Sequence, residues 1–175
     1  MMCSVFIASS VDGYIARSDG NIDWLTSATQ EDDDYGYKTF YDSIDCLVIG
    51  RKTYETARTF GQWPYIEKRV VVLSTKPNDV PNMPGHNVQI VSSAPSQILE
   101  ILESAGCRHA YIDGGKTIQS FLGIGLVDEI TITAIPILLG EGIRLFGILN
   151  RDIKLRLLET KAYKNGFVQT KYSTT

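Results

Sequence analysis

The sequence predicts an α/β fold: a mixed, mostly parallel sheet with helices on both faces and an antiparallel hairpin at the C-terminal end. Apolar runs at Leu47-Val48-Ile49, Val70-Val71-Val72 and Ala110-Tyr111-Ile112 alternate with segments of helical period. That is the pattern of buried parallel strands joined by crossover helices. From Asp128 the period changes to alternation, Ile130-Thr131-Ile132-Thr133-Ala134-Ile135. Leu155 to Ser173 then forms two strand-like runs joined through Asn165-Gly166, a pair suited to the positive φ of a tight hairpin. At 175 residues the chain is expected to be one domain, with a core that needs no disulfide.

Taken in order, the first strand covers Cys3 to Ser10, after which Val11 to Ala16 turns and extends again. A polar loop, Arg17 to Asn21, leads into Ile22-Asp23-Trp24-Leu25. Glu31 to Ile44 has a helical pattern, with acids at its start, where the helix dipole favours them, and Tyr35, Phe40, Tyr41 and Ile44 available to a core. The strand at Leu47, a short helix from Thr53 to Arg58 and a strand from Arg69 to Leu73 follow. Pro77 to Gly85 is a loop rich in Pro and Asn, and Val88 to Val91 is a short strand. Ser96 to Ala105 places Ile98, Leu99, Ile101 and Leu102 on one helical face. A strand at Tyr111 and a helix around Ile118, Phe121 and Leu122 complete the alternating part.

Hydrophobic residues make up 43% and charged residues 21%, with a formal net charge of −3. That balance argues against an electrostatically driven nucleic-acid binder. Cys3, Cys46 and Cys107 have no metal-like spacing and adjoin apolar segments, which favours buried free thiols in a reducing compartment. His86 and His109 lie far apart without ligand-spaced partners, so no metal site is expected. No apolar run approaches the roughly 18 residues of a membrane span, and no leader-like segment opens the chain, so a cytoplasmic location is expected.

The chemistry concentrates where strands end. After Ile49 come Gly50, Arg51, Lys52 and Thr53; after Leu73 come Ser74, Thr75 and Lys76; after Ile112 come Asp113, Gly114, Gly115, Lys116 and Thr117. Glycine lets a phosphate approach the backbone, the first amides of a helix favour an anion, and the cations and hydroxyls add charge and hydrogen bonds. Any one of these is equally a tight turn or an ordinary polar loop. Together they are what a dinucleotide lying across the carboxyl edge of a sheet requires.

Val11-Asp12-Gly13-Tyr14-Ile15-Ala16, Trp24, Val48-Ile49-Gly50-Arg51-Lys52-Thr53-Tyr54-Glu55, Val72-Leu73-Ser74-Thr75 and Ile112-Asp113-Gly114-Gly115 occur in the order found in dihydrofolate-reductase-like proteins, which the chain resembles over nearly its whole length. Asp113 directly before the glycine pair, and Ile137-Leu138-Leu139-Gly140-Glu141-Gly142, make the resemblance strongest to the reductase domain of the bifunctional riboflavin-biosynthesis deaminase/reductase and its stand-alone relatives. The resemblance implies a dihydrofolate-reductase-like three-layer αβα fold and NADPH as hydride donor. Gly50, Arg51, Lys52 and Thr53 match the box for the pyrophosphate and adenosine phosphate. Ser74, Thr75 and Lys76 match the strand end beside the 2′-phosphate, whereas Gly114, Gly115, Lys116 and Thr117 match the loop over the pyrophosphate. Ala8 and Ile15 match positions flanking the nicotinamide, and Arg51 with Lys76 suits the extra phosphate of NADPH.

For the substrate, the resemblance points to a pyrimidine or pterin, with 5-amino-6-(5-phosphoribosylamino)uracil the reference case. The carboxylate that dihydrofolate reductases place about five residues after the tryptophan is Thr29 here. Counting back from the glycine–arginine box puts Asp34 in its place, with an acidic helix start as the equal alternative. Asp113 is the next candidate. Thr133 matches a hydroxyl near the pterin edge, and Trp24 and Tyr35 offer apolar walls or plain core. The arginine that clamps the folate glutamate has no clear counterpart, Lys68 and Arg69 being nearest. The loop from Arg17 to Trp24 is either a lid over the nicotinamide or a solvated connection. Three classes stand at this point: a small pyrimidine or pterin reductase, dihydrofolate reductase itself, and a cofactor-binding relative without catalysis. The resembled branch further implies a homodimer, with Ile130 to Leu139 as the expected interface.

Overall fold

The computed structural model describes residues 1–29 and 33–174, so Glu31 and Asp32, at the expected helix start, lie outside it. Its frame is an eight-stranded sheet in the order β5-β4-β3-β6-β1-β7-β10-β9. These strands are β1 (Met2–Ser10), β3 (Cys46–Gly50), β4 (Arg69–Leu73), β5 (Val88–Val91), β6 (His109–Asp113), β7 (Glu129–Ile135), β9 (Leu155–Ala162) and β10 (Val168–Thr174). The strands from β5 to β7 pair in parallel, and β10 and β9 close the sheet antiparallel. A small second sheet pairs β2 (Tyr14–Ala16) with β8 (Ile143–Arg144), which carries no signal in the sequence because it is only two residues long.

The central strands are apolar on both sides because both faces are covered. On one face, Val5, Val48, Val71, Ala110 and Ile112 pack against α4 (Pro95–Ser104) and α5 (Gly115–Gly123) through Ile98, Leu102, Ile118 and Phe121. On the other, Leu47, Ile49, Val70, Val72 and Tyr111 meet Phe40 and Tyr41 of α2 (Tyr37–Ser43) and Tyr54 of α3 (Arg51–Ala57). Burying side chains of this size is worth about 1.5–3 kcal/mol each, which fixes the sheet's register. Cys3, Cys46 and Cys107 are buried free thiols within the first of these layers.

The helix before β3 is shorter than its periodicity predicts. Tyr35 (φ 53°) and Gly36 (φ 82°) both take left-handed backbone, so α2 cannot extend back through them. Asp33 accepts the Tyr35 amide (2.8 Å), and Asp34 accepts those of Gly36 (2.9 Å) and Lys38 (2.8 Å). The expected interface from Ile130 to Leu139 is also corrected in part. β7 lies between β1 and β10 with Ile130 and Ile135 buried, so this stretch is mostly interior, and exposure is confined to the residues after β7, at Pro136 and Leu138.

Asp12 ties the β1–β2 turn to the distant glycine motif. Its carboxylate accepts the Ser10 hydroxyl (2.6 Å) and the amides of Leu139 (3.1 Å) and Gly140 (2.7 Å). The Tyr14 hydroxyl donates to the Gly140 carbonyl (3.1 Å), and a side chain at Gly142 would strike the Ala16 carbonyl. Thus Ile137 to Gly142 works as a clasp that holds β2 beside β1, at the edge of the site. No helix among the described residues is long and apolar enough to cross a membrane.

Candidate active site

Parallel strands deliver their carboxyl ends to one edge of the sheet, and there a cleft of about 1300 Å³ opens. Every residue assigned above to the cofactor lines it: Ala8 and Ile15; Gly50, Arg51, Lys52 and Thr53; Ser74, Thr75 and Lys76; Gly114, Gly115, Lys116 and Thr117. Sequence reading missed Ser92 and Ser93, which follow β5 and line the same cleft. Their signal was available, since hydroxyls directly after a strand also mark Ser74 and Thr75.

Two strand–helix junctions interlock at this edge. A Cβ at Gly50 would lie 2.9 Å from the Thr117 hydroxyl oxygen, and one at Gly114 would strike the Thr53 hydroxyl. Gly114 also has φ 92°, a conformation that glycine adopts without strain. A Cβ at Gly115, the first residue of α5, would lie 3.1–3.2 Å from Ile15, Ile143 and the Arg144 carbonyl. The glycines therefore let two helix starts meet at the edge of the cleft. Arg51 pairs with Glu55 one turn on (2.7 Å), which holds its guanidinium beside the α3 start.

Beyond this cationic edge the cleft becomes aromatic. Phe6, Tyr37, Tyr65 and Tyr111 line it with Asp113. Asp113 and Tyr111 share one face of β6 by alternation, and β6 runs beside β1. Burial pushes the Asp113 carboxyl up to about 6, opposed by the Gly114 amide it accepts (2.7 Å). Burial and then the Asp113 charge raise the hydroxyl pKa values of Tyr37, Tyr65 and Tyr111. The loop from Arg17 to Trp24 reaches the cleft through Asp19, Gly20 and Ile22, and is braced by a two-point Arg17–Asp23 pair (2.6 and 3.0 Å).

Four expected substrate contacts are not brought into the cleft. Trp24 and Tyr35 pack with Ile135 and Phe167 in a separate cluster, because the β9–β10 turn folds over them and Asn165 donates to the Tyr35 hydroxyl (2.9 Å). The Trp24 indole N–H is buried and meets no acceptor among the described residues. Thr133 is buried next to Ala8 in register, and its hydroxyl accepts from Gln169 (2.9 Å). Asp34 is exposed and held by the two amides of the α2 start, which also depress its pKa. Lys68, weighed as a folate clamp, donates to the Ile44 carbonyl (2.6 Å) and lies over the Tyr41 ring.

A family model described as the RibD C-terminal domain matches residues 3–169. The chain belongs to that family. Among its relatives, the uncharacterized protein YwjB of Bacillus subtilis (strain 168) is 34% identical over 160 residues, covering 91% of this chain and 90% of that protein. A crystal structure of a Shewanella sp. PV-4 protein, provisionally assigned to riboflavin biosynthesis, matches with a TM-score of 0.90 and 38% identity over 100% of this chain and 99% of its own. The Thermotoga maritima deaminase/5-amino-6-(5-phosphoribosylamino)uracil reductase matches with a TM-score of 0.74 at 13% identity, over 99% of this chain and 56% of that protein, a likeness of fold. This RibD C-terminal domain protein thus has the dihydrofolate-reductase-like fold of the riboflavin-pathway reductases.

Proposed function

We propose that this RibD C-terminal domain protein is an NADPH-dependent reductase that transfers a hydride to a pyrimidine- or pterin-type substrate. The observation that carries the reading is the continuity of the cleft: one cleft is lined both by strand ends rich in glycines, cations and hydroxyls and by an aromatic compartment with one buried carboxyl. The donor set fits a dinucleotide, since Gly114 and Gly50 keep two helix starts open while Arg51, Lys52, Lys76 and Lys116 supply positive charge. When bound, NADPH supplies the hydride. The protein's share is placement and electrostatics. Ala8 and Ile15 give the nicotinamide an apolar seat, and the aromatic walls exclude water beside it. Asp113 offers a proton below about pH 6 and an acceptor for N–H groups above it.

Dihydrofolate reduction is the weaker reading, because neither Lys68 nor Arg69 lines the cleft and Lys68 is engaged by the Ile44 carbonyl. The test is nicotinamide oxidation by the purified protein against a panel of oxidised aminopyrimidines and pterins. Turnover of at least one with NADPH supports the proposal, and tight NADPH binding without turnover of any supports a cofactor-binding relative instead. The same reading makes the protein a homodimer through the exposed edge strand β9, where Leu155, Leu157 and Leu158 remain exposed.

A further inference from the structure

The cleft distributes its charge unevenly. Among the described residues that line it, the cations are Arg51, Lys52, Lys76 and Lys116, and all follow the ends of β3, β4 and β6. The compartment on the β1 side holds Phe6, Tyr37, Tyr65 and Tyr111 with two carboxyl groups, Asp113 and, on the loop above, Asp19. Among the described residues, Arg17, Lys38 and Lys68 do not line the cleft, Lys68 donating to the Ile44 carbonyl, whereas on the cationic side Glu55 lines it too, paired with Arg51.

A sugar phosphate needs charge-assisted hydrogen bonds to offset its lost hydration, and carboxylates nearby would repel it. A flat heterocycle needs only ring faces and partners for its edge. Tyr65 is 8% exposed, and neither its hydroxyl nor that of Tyr37 makes a hydrogen bond among the described residues. Both hydroxyls therefore remain available to a ligand, beside a buried carboxyl.

We infer that the substrate compartment takes a phosphate-free amino-heterocycle, its ring among Phe6, Tyr37, Tyr65 and Tyr111 and its N–H edge on Asp113. This deepens the reductase reading and rests on it for the identity of the cationic half. It separates this protein by substrate from a phosphoribosyl-pyrimidine reductase of the same fold.

Calorimetric titration of 5-amino-6-(5-phosphoribosylamino)uracil and of its dephosphorylated counterpart tests the inference, on the protein alone and with NADP⁺ bound. The dephosphorylated compound should bind at least as tightly, or within about threefold, at low and high salt alike. A phosphorylated compound favoured by about tenfold or more, with the preference shrinking in salt, overturns it, as does failure of both to bind. Failure of NADP⁺ to bind refutes the cofactor reading and, with it, this inference, whereas a phosphate preference that persists with NADP⁺ bound overturns this inference alone. Asp113→Asn should weaken both uracils at least about fivefold and leave NADP⁺ affinity unchanged, and no change contradicts the edge assignment. Should that variant not fold, Tyr65→Phe, which removes a single hydroxyl, should weaken both compounds about equally.

Discussion

Gly114 carries two constraints in one residue: a left-handed backbone and the Thr53 hydroxyl where a Cβ would stand. Gly114→Ala should therefore cost about 2 kcal/mol or more, above the roughly 1–2 kcal/mol of the backbone conformation alone. Adding Thr53→Ala should recover about 0.5–1.5 kcal/mol, measured by a denaturation double-mutant cycle. Additivity would show that the junctions do not interlock. Asp113 makes a second prediction, about pH. Its folded pKa of about 6 exceeds the ordinary 3.8, so the native state holds this proton more tightly than the unfolded chain. That contribution is full below 3.8 and is lost as pH rises through about 6. The Tm of Asp113→Asn relative to the wild type should accordingly climb as pH rises from about 4 to about 7. A difference that does not vary with pH would mean the carboxyl is solvated.

Among the elements, the clasp from Ile137 to Gly142 depends on one carboxylate. The Ser10 hydroxyl, and then the Gly140 and Leu139 amides, hold the Asp12 carboxyl down at about 2. Its stabilisation is present above 3.8 and lost as pH falls through about 2. Asp12→Asn should lower the Tm near neutrality, with the deficit closing on acidification, and an undiminished deficit would assign the effect to packing. β9 is the other element with a consequence. It is an outermost strand of eight exposed residues, so its free backbone edge and Leu157 invite a second copy. Leu157→Glu should shift light-scattering mass from dimer to monomer without altering circular dichroism, and a monomeric wild type would remove the idea. The helix boundary at Tyr37 shows why element ends were harder to foresee than elements. The period in Glu31 to Ile44 is real, but Tyr35 takes left-handed backbone in a cluster formed with Phe167, far along the chain.

Across the whole molecule, legibility follows the range of the interactions. The cationic half of the cleft is local: each glycine, cation and hydroxyl sits within a few residues of the strand that positions it, so spacing alone located it. The aromatic half is assembled from β1, α2, β6 and the irregular stretch holding Tyr65, and no period in the sequence announces that meeting. Asp34 and Thr133 are matched by resemblance and Trp24 and Tyr35 by aromatic character alone; amides of the α2 start hold Asp34, Gln169 and Asn165 of the hairpin bond Thr133 and Tyr35, and Trp24 packs with Phe167. The central claim is that the strand-end cations hold a dinucleotide that carries a 2′-phosphate. Losing one charge-assisted phosphate contact costs about 1.5–3 kcal/mol. The most direct measurement is a fluorescence titration of NADPH and NADH against the wild type and Arg51→Ala. NADPH should bind the wild type at least about tenfold more tightly than NADH, with Arg51→Ala removing most of that preference and leaving NADH little changed. Equal affinity for the two cofactors in the wild type, or an equal loss for both in the variant, would contradict the account.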